Sequence, residues 1–230
     1  MIIGKIAVRL TVVALAALPL LASPISSIGL YSTGVGNNGV ALTSGTDTHY
    51  LLDGVNFPQV AIGAPSSAPF NWIAVNTTSA WIAPIANVVS ITATSDVTYD
   101  YTTTFNLTGY DLSTVVISGK IAADNYASIH LNSAQSFYSM GNVVSATDFN
   151  AWHAFTIDGS TGGLVAGLNT LSFHVVNAGT TGSNPTGLRV EFSPQFQGVD
   201  PPNGEAPEPA TVTLLGAGLL ALGFLRRGSR

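Results

Sequence analysis

Between Tyr99 and Leu107 the chain alternates. Tyr99, Tyr101, Thr103, Phe105 and Leu107 are interleaved with Asp100, Thr102, Thr104 and Asn106. Successive side chains of a strand point to opposite faces, so this pattern buries one face and wets the other, which a period of 3.6 cannot do. The alternation returns at 115–121, with Lys120 on the outward parity, and at 126–132, 152–158, 169–177 and 186–193. Turns rich in Gly, Asn, Asp and Ser separate these runs, among them Asn184-Pro185-Thr186-Gly187. No stretch of this region sustains a helical period, and no internal repeat is evident. Several strands with one polar face predict an all-β antiparallel β-sandwich.

Two apolar segments fall outside that pattern. Residues 1–9 carry Lys5 and Arg9, and Leu10 to Ala22 is an apolar stretch broken by Pro19, with small residues at Ala22, Ser23, Ser26 and Ser27. This is the layout of a secretory signal peptide, assigned to 1–27. An uncleaved anchor is the alternative, but the run is short of the roughly 20 residues that span a bilayer. The scissile bond is left open, because Leu20 and Ile25 are both poor matches to the small residue wanted three positions upstream. At the other end, Ala210 to Leu225 is apolar and is followed by Arg226, Arg227 and Arg230. As a helix, 210–225 would be about 24 Å long, a marginal transmembrane span. The arginines form a basic stop that stays on the cytoplasmic side, leaving the domain outside.

Between these segments the sequence assigns an ectodomain to 28–195, irregular over 28–48, and a Pro/Gly-rich linker to 196–206. The chain has no cysteine, so an exported domain must hold together by packing alone. Only 8% of residues are charged. From Ile28 to Ala206 two cations, Lys120 and Arg189, face 11 carboxylates, a net of −9. Such a surface repels phosphate backbones and anionic lipid headgroups, which excludes nucleic acid as a partner.

The 207–230 tail joins Pro207-Glu208-Pro209, the apolar helix and the basic stop in a fixed order. Prolines fix φ and remove backbone donors, so the tripeptide is extended and accessible ahead of the helix. The arrangement resembles the PEP-CTERM domain on exported proteins of Gram-negative bacteria, the substrates of membrane-embedded exosortases. The resemblance implies export with signal-peptidase processing through the Sec machinery. It further implies transient anchoring in the inner membrane with the domain in the periplasm, exosortase processing at Pro207, Glu208 and Pro209, and release to the cell surface or beyond. A permanent single-pass anchor is the simpler alternative.

A second resemblance covers roughly 50–193. Tyr101-Thr102-Thr103-Thr104-Phe105, Ala122-Ala123-Asp124-Asn125, Ile129-His130-Leu131-Asn132, Phe155-Thr156-Ile157, Gly167-Leu168-Asn169-Thr170-Leu171 and Pro185-Thr186-Gly187-Leu188-Arg189-Val190 occur in this order. Together they are similar to the galactose-binding-like jelly roll, which also serves as a carbohydrate-binding module of glycosidases. These are framework motifs, so the resemblance implies binding only by analogy.

Sugar recognition needs flat aromatic faces, and Trp72, Trp81 and Trp152 are the candidate glycan contacts, with Tyr110, Tyr126 and Tyr138 behind them. Packing of the sandwich competes for each tryptophan. Asp124-Asn125 has oxygens for a calcium ion, or caps its own turn. His49, His130, His153 and His174 are dispersed without zinc spacing, so neither metal nor cofactor is expected. Arg189 and Glu191 share the outward parity of the last strand as a cross-surface polar pair. Asn76 and Asn106 begin Asn-x-Thr sequences and read as turn and strand residues. No nucleophile elbow and no defined carboxylate pair can be nominated.

The leading expectation is therefore a non-catalytic exported surface or extracellular-matrix protein associated with exopolysaccharide and biofilm. A carbohydrate-binding module or adhesin with a specific glycan site is the alternative. A secreted hydrolase ranks behind both.

Overall fold

The computed structural model describes residues 22–63, 71–132, 138–139, 149–159 and 163–198. The strands are β1 (Ala22–Pro24), β2 (Leu51–Leu52), β3 (Gln59–Val60), β4 (Ile82–Ala83), β5 (Val97–Asn106), β6 (Val116–Asp124), β7 (Tyr126–Leu131), β8 (Tyr138–Ser139), β9 (His153–Asp158), β10 (Leu168–Asn177), β11 (Gly187–Phe192) and β12 (Gln195–Gln197). Among the described residues the only helical elements are three short 3-10 turns. The protein is an antiparallel β-sandwich.

One sheet runs β2-β5-β10-β7-β8. Its centre is the ten-residue register of β10 against β5, from Leu168 opposite Asn106 to Asn177 opposite Val97. The other sheet follows the path β1-β12-β6-β11-β4-β3, with β9 on the opposite edge of β6. The two inner faces close on one core that includes Tyr101, Phe105, Ile117, Ile121, Ile129, Leu131, Phe155, Ile157, Leu171, Phe173, Val175, Leu188 and Val190. The alternation read from the sequence supplies nearly all of these residues. Lys120 points outward, as its parity requires.

Two boundaries move. The expected ectodomain, 28–195, is too narrow, because β1 pairs with β12 in register Ala22–Gln197, Ser23–Phe196 and Pro24–Gln195. Ile25, Ile28 and Phe196 all belong to the main core. A three-residue strand is too short to show a period, which is why Ala22–Pro24 reads as leader and Gln195–Gln197 as the start of a linker. Among the described residues no helix is long and apolar enough to cross a membrane. The leader up to residue 21 and the tail 207–230, with its helix 210–225, lie outside the described residues.

The framework motifs have structural work to do. Asn169 is fully buried and closes the start of β10. Its Oδ1 accepts from Val165 N–H and from Asn132 Nδ2, and its Nδ2 donates to the Val165 and Gly167 carbonyls. Irregular residues 28–48 are pinned in a comparable way. Buried Asp47 accepts from the backbone N–H groups of Gly34 (2.6 Å) and His49 (2.8 Å). Gly34 has φ +64°, and a Cβ there would lie 2.7 Å from Ala80 Cβ, so the position requires glycine.

Candidate functional site

A half-polar sheet normally shows its polar face to water, yet β11 is buried from Gly187 through Val190. Residues 71–81, which carry no period, fold across the outer face of the larger sheet and make a second core there. Trp72, Trp81, Ala61, Ala83, Val88, Ile91, Ala122 and Phe149 pack together, with Ile73 and Trp152 against them. The Trp72 and Trp81 rings lie 4.3 Å apart. Trp72 Nε1 donates to Asp124 Oδ2 at 2.9 Å, and Trp81 Nε1 donates to the Ile73 carbonyl at 2.9 Å. Gly187 makes room for this layer, since a Cβ there would sit 2.9 Å from Trp72 Cη2.

Trp72 is 4% exposed and Trp81 0%. Their faces are covered, so of the three candidate glycan contacts these two pack the interior instead. Truncating a buried tryptophan costs about 3–5 kcal/mol, ample reason for these rings without a ligand.

Arg189 corrects a second expectation. Its outward parity holds, but it is fully buried rather than a surface partner. Nε donates to Ser79 Oγ (2.9 Å), Nη1 to the carbonyls of Ile73 (3.1 Å) and Ala74 (2.6 Å), and Nη2 to that of Ser79 (3.2 Å). The planar fork thus fastens the 71–81 layer to β11. Burial lowers the guanidinium pKa, and the charge of Glu191 acts in the opposite sense.

Trp152 is the one half-buried member of the tryptophan set. Its ring lies 4.7 Å from Lys120 Nζ and 5.0 Å from Arg189 Cζ, both within cation–π range. Beside it, Lys120 and Glu191 are direct cross-strand partners, with Nζ 3.1 Å from Oε1. Glu191 Oε2 accepts from Asn76 Nδ2 and Ser79 Oγ, each at 3.1 Å. Partial burial opposes ionisation of Glu191, but hydrogen bonds from Asn76, Lys120 and Ser79 and the Lys120 charge outweigh it and lower its pKa. An acid held ionised cannot serve as a proton donor near neutral pH.

Glu191 borders two clefts, of about 320 and 410 Å³. A third, of about 580 Å³, is lined by Val40, Val60, Ile62, Trp72, Val75 and their neighbours. Among the described residues lining these clefts, Glu191 is the one carboxylate, whereas glycoside hydrolysis takes two.

Asp124 is a second perturbed carboxyl. It is 1% exposed, and burial raises its pKa to about 7 against the lowering effect of the Trp72 hydrogen bond. Its place beneath Trp72 removes it from the calcium role read for Asp124-Asn125. Asn125 Oδ1 accepts from Ala178 N–H at 2.6 Å, bracing a neighbouring segment rather than its own turn. The Asn-x-Thr sequences are turn and strand residues as read, Asn76 in a turn and Asn106 at the end of β5. Asn76 Oδ1 accepts from Thr78 and Ser79 N–H, and Asn106 Oδ1 from Thr108 N–H.

The structure gathers one polar group that sequence spacing hid. His130 and His174, on the outward parity of adjacent strands β7 and β10, stand with ring centroids 4.1 Å apart. The Asp100 carboxylate contacts His174 Nδ1, while Ser128 Oγ is 2.9 Å from His130 Nε2. Serine and aspartate thus touch different imidazoles of the pair. His49 instead stacks on Tyr31 at 3.9 Å and meets Asn37 Oδ1 at 3.0 Å. Among the described residues no group of three or more His, Cys, Asp or Glu side chains is arranged to hold a metal ion.

Asp124 yields a prediction. A carboxyl whose folded pKa lies above its unfolded value favours folding fully below the unfolded pKa, near 3.8, and loses that advantage as pH rises through about 7. Asp124→Asn keeps an acceptor for Trp72. In urea titrations it should match the wild type near pH 4 and exceed it by up to about 4 kcal/mol at pH 8. Equal stability curves at both pH values would contradict this assignment.

Comparison with known proteins adds three findings. No curated protein matches the chain. A solved structure of a family 35 carbohydrate-binding module from an environmental isolate is similar at 11% identity and a TM-score of 0.30, over 79% of this chain and 99% of that one. The PEP-CTERM protein-sorting motif matches residues 205–227, taking in Pro207, Glu208, Pro209, Arg226 and Arg227, with Arg230 just beyond. The chain thus carries a PEP-CTERM protein-sorting motif, the mark of an exported protein sorted by exosortase.

Proposed function

We propose that this protein is a non-catalytic surface or extracellular-matrix protein, released by exosortase processing near Pro207-Glu208-Pro209 and associated with exopolysaccharide. The sorting motif at 205–227 is the observation that carries this reading. The fold is consistent with it. A cysteine-free sandwich with a second apolar layer is stabilised without oxidative chemistry in the export compartment. Among the described residues lining the three clefts, Glu191 is a single carboxylate without a second beside it. The tail, with the basic stop inside, holds the domain at the membrane until it is cut.

Intact-mass measurement of the protein from its host, with and without exosortase, tests the processing step. The expected result is a C-terminus near Pro207-Glu208-Pro209 when exosortase is present and an uncut tail when it is absent. A chain ending at Arg230 in both strains would leave only a permanent anchor.

A specific observation favours a second reading, a glycan-binding module. Trp152 is half-buried beside Lys120 and Glu191, an aromatic ring with hydrogen-bonding groups at its rim. Trp152→Ala should then reduce retention on purified exopolysaccharide at least tenfold under conditions where urea titration shows the variant still folded. Unchanged retention would remove the site.

A further inference from the structure

The sequence offers two bonds for removal of the leader, after Ala22 with Leu20 three residues upstream, or after Ser27 with Ile25 in that position. Ser23 is followed directly by Pro24, and the bond after Ser26 has Pro24 as the third residue upstream, so neither competes well. Small-residue preference alone does not decide between Ala22 and Ser27.

The fold does decide. Residues 23–29 are all used by the sandwich. Ser23 and Pro24 pair with Phe196 and Gln195. Ile25 N–H donates to the Pro194 carbonyl at 2.9 Å, and its side chain, 9% exposed, belongs to the main core with Ile28 at 2%. Ser27 Oγ donates to the Pro24 carbonyl at 2.7 Å, and Gly29 N–H to that of Ser26 at 3.0 Å, which closes a 3-10 turn over Ile25–Ile28. The Ser27–Ile28 bond therefore lies inside a hydrogen-bonded turn.

Cutting there would delete β1, bare the edge of β12 and take Ile25 from the core. An unpaired strand edge is a template for association, and a lost core side chain leaves a cavity. Cutting after Ala22 costs only the first of the three β1–β12 register pairs.

We propose that the leader is removed at the Ala22–Ser23 bond, so that the mature domain begins at Ser23. The inference rests on the reading of the N-terminal segment as an export leader. The step is hydrolysis by a leader-removing endopeptidase. Water adds across the Ala22–Ser23 amide, the C–N bond breaks, Ala22 leaves with a carboxylate and Ser23 gains the α-ammonium.

The test is intact mass and N-terminal sequencing of the exported full chain from a Gram-negative host, together with two variants. The wild type should begin at Ser23. Ala22→Leu, which places a bulky residue before the scissile bond, should cut the processed fraction at least tenfold, whereas Ser27→Leu should leave it unchanged. A mature chain beginning at Ile28, or loss of processing in Ser27→Leu with Ala22→Leu unaffected, overturns the proposal while the leader reading survives. A wild-type chain that retains Met1 overturns both, and its mass distinguishes that outcome from the others.

Discussion

The buried guanidinium of Arg189 is the contact on which the outer layer depends. Segment 71–81 has no strand of its own to lock it to the sheet, and its carbonyls at Ile73, Ala74 and Ser79 need donors once they are covered. One planar fork reaches all three and Ser79 Oγ as well. Removing a charge from water costs several kcal/mol, and charge-assisted hydrogen bonds of about 1.5–3 kcal/mol each offset it. With the layer fastened, Trp72 and Trp81 acquire walls on both sides and the sheet acquires a second core. Without it, Asp124, Ala122 and the outer face of β11 would meet water.

That layer also decides what the surface can do. It takes two of the three tryptophans out of contact with any ligand and leaves Trp152 at its margin, between the buried Arg189 and the half-buried Lys120–Glu191 pair. The Lys120 cation–π contact is worth about 0.5–1 kcal/mol at an exposed site, far below the burial of an indole. The energetic role of the tryptophans is thus packing first. Of the three tryptophans, Trp152 alone is not fully covered.

The sequence made the sandwich legible wherever one face of a strand meets water, because parity then separates Tyr101, Phe105 and Leu107 from Thr102, Thr104 and Asn106. It failed where that condition fails. Arg189 has outward parity and is nevertheless buried, since the cover comes from residues more than a hundred positions away whose own sequence has no period. The His130–His174 pair was hidden for a related reason, as cross-strand neighbours share no sequence spacing. A three-residue strand such as Ala22–Pro24 cannot display a period at all. The tail was legible because a sorting signal is read as a linear string of residue types, with no tertiary partner needed.

The most direct test of the account is acrylamide quenching of tryptophan fluorescence in the Trp152→Phe variant, whose emission then comes from Trp72 and Trp81 alone. If Arg189 holds the 71–81 layer over the sheet, both indoles are shielded and quenching is several-fold weaker than for a free indole until the protein unfolds. Quenching of the folded variant at the rate of a solvent-exposed indole would contradict it.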